Sequence, residues 1–200
     1  PGGGLSATRA TMDFAGPTTT TGIHTLDAVE IAGTITIAAG KTLTVSSTVT
    51  LTSGSLSTGI LAAQADISSA AGYAGGGTAT LLINGAGAQT LTGFHSAAAG
   101  SMPNVNVAKP SGTLTIAGTL RTARNWTYSS GALSVAGSTV IFNGTLTITG
   151  SHALNAVEFH SGDVTVNAGD TKAVGGLLTL TAVNLLVGTV DGLEAICTRA

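Results

Sequence analysis

The segment Phe14-Ala-Gly-Pro-Thr-Thr-Thr-Thr-Gly22-Ile-His24-Thr-Leu26-Asp-Ala28-Val29-Glu30 returns 128 positions later as Phe142-Asn-Gly144-Thr-Leu-Thr-Ile-Thr-Gly150-Ser-His152-Ala-Leu154-Asn-Ala156-Val157-Glu158. Aligned without a gap, Ala10 to Ile31 and Ser138 to Phe159 agree at 11 of 22 positions. A third copy lies between them as Ala79-Thr-Leu-Leu-Ile83-Asn84-Gly85 and then Gly93-Phe94-His95, with Ala86 and Gly87 added in the turn. Copies starting at 10, 79 and 138 set periods of 69 and 59 residues, so the repeat tolerates insertions. Self-similar chains stack their repeats against one another and do not condense around one centre. The chain therefore divides into a linker or preceding-repeat tail at 1–9 and units at 10–78, 79–137 and 138–200, read as one continuous solenoid.

Composition narrows the class. Only 8% of residues are charged and 4% aromatic, where a soluble globular domain carries about 25% charge. Glycine and threonine are abundant, whereas the strong helix formers Glu, Lys, Arg, Gln and Met are scarce, which favours short strands closed by turns. A net charge of -2 supplies no electrostatic footprint for nucleic acid or an anionic membrane surface. The greasiest stretch, Gly176 to Gly188, is broken by Thr179, Thr181 and Asn184, so no membrane insertion is expected. The single Cys197 allows no intrachain disulfide and no cysteine-based zinc site, leaving packing and strand pairing to supply stability.

Thr34-Ile-Thr-Ile37, Thr42-Leu-Thr-Val45, Thr48-Val-Thr-Leu51, Thr113-Leu-Thr-Ile116 and Thr145-Leu-Thr-Ile148 alternate hydroxyl and aliphatic side chains at a period of two. Each reads as a strand with one buried and one hydroxylated face. Such strands suit a parallel β-solenoid or, alternatively, tandem small β-sandwiches. A 59-residue sandwich without disulfides buries too little to stand alone, so the solenoid is preferred, with rungs of about 20 residues and about nine rungs in all. The alanine-rich stretches 61–71 and 97–100 break the alternation and read as insertions between rungs, and Gly75-Gly76-Gly77 reads as a linker.

The repeated Gly22-x-His24, Gly93-x-His95 and Gly150-x-His152, with Glu30 and Glu158 six residues on, pair imidazole with carboxylate, ligand types that suit zinc. Their spacing opposes a shared ion, because equivalent histidines lie a whole unit apart and the second unit has Ser101 at the glutamate position. These residues are read as repeat-marking structural positions, each ring stacking on a neighbouring rung and bonding a carbonyl. Asp163 and Asp170 lack the spacing of a calcium loop. Arg124, Trp126 and Tyr128 share a strand face and would form a sugar-stacking platform if exposed. They fall in the same parity as Leu114, Ile116 and Leu120, which directs Trp126 and Tyr128 into the core if the register persists. Nucleophile elbows, His-Glu-x-x-His helices and phosphate loops are absent from the sequence, and no cofactor is implied. Asn125-Trp-Thr127 and Asn143-Gly-Thr145 match the N-glycosylation acceptor pattern. Thr-x-Thr motifs have the local form of an ice-binding array, but their uneven gaps oppose a flat lattice, and outward threonine reads instead as uncharged, strand-favouring surface.

Thr80-Leu-Leu-Ile-Asn84-Gly-Ala-Gly-Ala-Gln89-Thr-Leu-Thr-Gly93, Pro103-Asn-Val-Asn-Val-Ala-Lys-Pro110 with Ser-Gly-Thr-Leu-Thr-Ile116, and Asn125-Trp-Thr-Tyr128 through Leu133 resemble the Thr/Gly-rich repeats of very large bacterial surface and secreted proteins, similar to repeats in phage fibres. The resemblance implies a parallel β-solenoid serving as stalk, fibre or adhesive surface, with no catalytic residues to carry over. The sequence expectation is a non-enzymatic, extracellular or cell-surface structural segment that forms homo-oligomers by end-to-end or lateral association. The alternative is a module that binds a surface glycan through Arg124, Trp126 and Tyr128.

Overall fold

The computed structural model describes residues 6–187. Cys197 and the ends of the first and last sequence segments lie outside them. Among the described residues there is no helix, and the named strands pair in parallel throughout. In chain order the strands are β1 (Ser6–Phe14), β2 (Thr18–Thr20), β3 (His24–Ile31), β4 (Thr34–Ile37), β5 (Thr42–Val45), β6 (Val49–Leu51), β7 (Ser55–Leu56), β8 (Ile60–Ala63), β9 (Ile67–Ser69), β10 (Thr80–Ile83) and β11 (Gln89–Phe94). They continue as β12 (Asn104–Thr122), β13 (Trp126–Ser134), β14 (Thr139–Asn143), β15 (Leu146–Thr149), β16 (His152–Leu154), β17 (Ala156–Val166), β18 (Lys172–Val174) and β19 (Leu178–Val187).

The chain is a parallel β-solenoid whose turns each visit three faces. On the first face the register runs His24, Leu43, Leu61, Leu81, Val105, Trp126, Ile148, Val166, Val187. With β1 paired below β3, ten strands stack there, making about nine turns. The second face runs Met12, Val29, Val49, Ile67, Leu91, Ile116. The third carries Ile35 on Leu56 near the start and Leu120, Val140, Val157, Leu178 toward the end. Period-two alternation explains the interior: Thr42 and Thr44 point out while Leu43 and Val45 are buried, and the same holds for Thr147 against Leu146 and Ile148. Stacking aliphatics on aliphatics removes both flanks of each side chain from water, which stabilises by about 1.5–3 kcal/mol per fully buried Leu, Ile or Val.

Steps along the first-face ladder are 19, 18, 20, 24, 21, 22, 18 and 21 residues. Extra residues leave the coil at corners, as at 84–88 and 95–103, so strand register survives them. Two expectations are corrected here. Residues 61–71 are not an insertion: they contain most of β8 and all of β9, with Leu61 and Ala63 fully buried and in register with Leu43 and Val45. Alanine fits at Ala63 because an inward position needs only an apolar side chain whose volume its neighbours can match. Nor is Gly75-Gly76-Gly77 a linker. Gly76 has φ 146 and a Cβ there would lie 1.7 Å from the Leu56 carbonyl oxygen, so glycine is what lets this turn lie against the one before it. Residues 97–100 do form a corner excursion, closed by the Ser96 N–H donating to the Ala99 carbonyl (2.9 Å).

Candidate functional site

The three sequence copies do not stack on one another. From His24 to Ile148 the first-face ladder takes six steps and 124 residues. The 128-residue repeat overshoots those six turns by four residues, about one strand. Equivalent positions consequently land on different faces: Phe14 on the second, paired with Ile31; Ile83 on the first, paired with Val107; and Phe142 on the third, paired with Phe159. The histidines follow. His24 opens the first face, His95 sits at the turn into the third, where its N–H donates to the Thr119 carbonyl, and His152 pairs with Lys172 in a separate two-stranded ladder.

Each histidine is held differently. The His24 ring folds back over Gly22, where an added Cβ would lie 3.1 Å from Nε2. Gly93 is needed because a Cβ there would come within 2.3 Å of the Thr119 carbonyl oxygen. His95 is buried, and its Nδ1 accepts from the Arg121 N–H (3.0 Å). Its ring proton therefore sits on Nε2 and donates to the Ser69 hydroxyl (2.9 Å). A nucleophilic serine needs the reverse, with its hydroxyl donating to an imidazole base. Ser69 is thus a buried acceptor, and burial holds His95 below the usual histidine range, keeping the ring neutral.

His152 is buried against Tyr128, with ring centroids 5.1 Å apart and 30° between planes. Its Nδ1 donates to the Gly150 carbonyl (2.7 Å), which also accepts from Lys172 Nζ (2.6 Å). Its Nε2 is buried and has no partner. Burial is the main reason its pKa falls to about 4, and the Lys172 charge pushes the same way. Asp170 accepts from the Gly150 N–H (2.7 Å), a bond that lowers its own pKa, and lies 3.8 Å from Lys172 Nζ. Gly150 itself has φ 83, and a Cβ would meet the Tyr128 carbonyl oxygen at 1.8 Å. This cluster is a packed corner holding three successive turns together.

The glutamates also part ways. Glu30 accepts from the Thr52 hydroxyl on the next turn (2.8 Å), while Glu158 pairs with His160 Nδ1 at 2.5 Å. Neither shares a bond with the Gly-x-His histidine of its own copy. Asp163 accepts from Asn184 Nδ2 (2.9 Å). Among the described residues no three His, Cys, Asp or Glu side chains converge to hold a metal ion.

Trp126 is fully buried, edge-on to Phe142 at 6.2 Å, so it offers no ring to a sugar. Tyr128 is half-buried under His152, and its hydroxyl donates to the Gly131 carbonyl. Arg124 is exposed in the preceding turn, apart from both rings' packing. The stacking platform is therefore not formed, because strand parity directs the tryptophan inward. The Thr-x-Thr motifs do not stack on themselves either: Thr42 and Thr44 lie beside Ile60 and Ala62, then Thr80 and Leu82, then Asn104 and Asn106.

One buried group had no sequence signal. Lys109 is fully buried, and its Nζ donates to the carbonyls of Gly85 (2.7 Å) and Gly87 (2.8 Å) and to Gln89 Oε1 (2.7 Å). Gln89 Nε2 in turn donates to Ala63 O (3.1 Å) and Ala65 O (2.7 Å), so the pair bridges three successive turns. Burial lowers the Lys109 pKa, and the three oxygens saturate its three donors. The contacts hold the coil together and expose no reactive atom. Neither a family model, nor a curated protein, nor a solved structure matches this chain.

Proposed function

We propose that this chain is a non-catalytic, extracellular or cell-surface structural segment that associates end to end into a longer fibre, filament or adhesin stalk. The observation that carries the reading is the pairing at the two described ends: β1 pairs with β3 and β19 with β17, and among the described residues neither has a second partner strand. Each such edge is a row of N–H and C=O groups that pairs with another strand at little cost. Axial joints are favoured over side-by-side contact because the terminal strands offer backbone N–H and C=O groups for strand pairing, whereas a side face offers side chains alone. Buried polar groups engaged in bonds within the coil, at His95, Lys109 and His152, agree with a structural element more than with a reaction site.

Electron microscopy and sedimentation of the purified chain at rising concentration test this. Rods lengthening in multiples of the single-chain length are expected, with unchanged width. Monomers persisting at the highest concentration would remove the proposal.

A further inference from the structure

We infer that Asn125 is an N-glycan attachment site that the folded coil accommodates, and that Asn143, with an equally good acceptor sequence, is not. Asn125 is exposed at a corner. Its Oδ1 accepts from the Thr147 N–H on the following turn (2.9 Å), and its own N–H donates to Asn104 Oδ1 on the turn before (3.2 Å). The carboxamide is thus fixed through its oxygen, while among the described residues no hydrogen bond engages Nδ2. Thr127, the residue at the hydroxyl position of the acceptor pattern, lies outward on β13 in register with Asn106 and Thr149.

Attachment changes only the free atom. Nδ2 forms a bond to the anomeric carbon of an oligosaccharide carried on a polyprenyl diphosphate, and the bond from that carbon to the diphosphate oxygen breaks. The diphosphate leaves with the electron pair, and one Nδ2 proton passes to a base of the transferase. The amide keeps its carbonyl, so the Thr147 bond survives, and the sugar is carried at an exposed corner between β12 and β13.

Asn143 is the internal contrast. It is half-buried, and in the amide orientation that satisfies Arg121 and Ser161 its oxygen accepts from Arg121 Nη2 (2.7 Å) and Nε (2.9 Å) while its nitrogen donates to Ser161 Oγ. Arg121 also donates through Nη1 to the Gly100 carbonyl (2.7 Å), anchoring the excursion at 97–100. A sugar on that nitrogen would replace the Ser161 bond and have to enter a closed polar cluster. Both acceptor patterns are therefore equal in sequence and opposite in structure.

The test supplies its own secretory route, so it fails independently of the filament reading. The chain is secreted from yeast behind a cleavable leader, and peptide mapping after amidase deglycosylation locates each modified asparagine as aspartate. One glycan at Asn125 and an unmodified Asn143 are expected, with T127A abolishing the glycan and T145A leaving it in place. A folded secreted product with Asn125 bare, or with Asn143 occupied, overturns the inference. Retention in the cell relieved by T127A overturns it too, since the glycan would then be incompatible with the fold, whereas retention relieved by T145A supports the Asn143 half. If all forms are retained, the same mapping of the intracellular pool decides, and an unmodified Asn125 there counts against the inference.

Discussion

The first and third sequence copies share half their residues and one local geometry, yet they occupy different places. Met12 pairs with Val29 and Val140 with Val157, a 17-residue turn in both. Around that shared turn everything differs. Phe14 lies on the first described turn, 8% exposed, whereas Phe142 is fully enclosed between Trp126 and Phe159. His24 opens a ladder that an indole occupies five steps later, while His152 is buried in a cluster with Tyr128, Asp170 and Lys172. The repeat thus encodes a turn of the coil, and the lengths of the intervening corners decide which face that turn occupies.

The widest gap between the copies should be at the phenylalanines. Phe142→Ala leaves a void between two rings and should cost about 3–5 kcal/mol, with Phe14→Ala costing about half as much, read from urea unfolding. Equal costs would mean that the enclosing rings contribute nothing. Next is acidity. Because burial places the folded pKa of His152 near 4 and the unfolded value is 6.5, the unfolded chain takes up the proton first as pH falls. Stability at His152 is therefore full above about pH 6.5, declines through the window down to about 4, and amounts to about 3 kcal/mol. His95 shifts in the same direction and adds to the slope. Melting curves across that range should show a shallower pH dependence for His152→Gln than for the parent, and identical slopes would refute the buried neutral ring.

The glycines come third. Gly150→Ala forces a side chain into a left-handed backbone and against the Tyr128 carbonyl, and should lose about 2 kcal/mol or more. Gly22→Ala meets only the His24 side chain, at 3.1 Å and with no backbone atom in the way, and should lose less than about 1 kcal/mol. The smallest effect is expected at the glutamates, where Glu30→Ala and Glu158→Ala each remove one partly exposed bond worth about 0.5–1 kcal/mol. A loss of several kcal/mol at either would mean that the copies depend on these carboxylates far more than their bonds imply.

Much of this architecture was legible in the residues. Thr/aliphatic alternation located the strands, and the inward parity of Leu114, Ile116 and Leu120 extended correctly to Trp126. Other parts were hidden for physical reasons. Ala62 and Ala63 lack the bulk that makes a strand conspicuous, yet a ladder position requires only an apolar side chain in register. The three consecutive glycines resemble a flexible joint until the Leu56 carbonyl is seen beside Gly76. Lys109 could not be paired in advance, because its acceptors are backbone carbonyls and an amide 20–24 positions away, with no complementary charge to search for. The face on which each copy lands depends on steps ranging from 18 to 24 residues, and that is set by corner loops with no periodic signature.

The lysine bridge has a mechanical meaning. A solenoid pulled from one end unravels by peeling a turn at a time, each release breaking one row of weak, identical bonds. At Lys109 and Gln89 the peel meets a cross-stitch through three turns: the three charge-assisted bonds of Lys109 must break together, and the two Gln89 bonds still tie the next pair of turns. Tearing that starts at either end would stall there, leaving the far side of the coil wound.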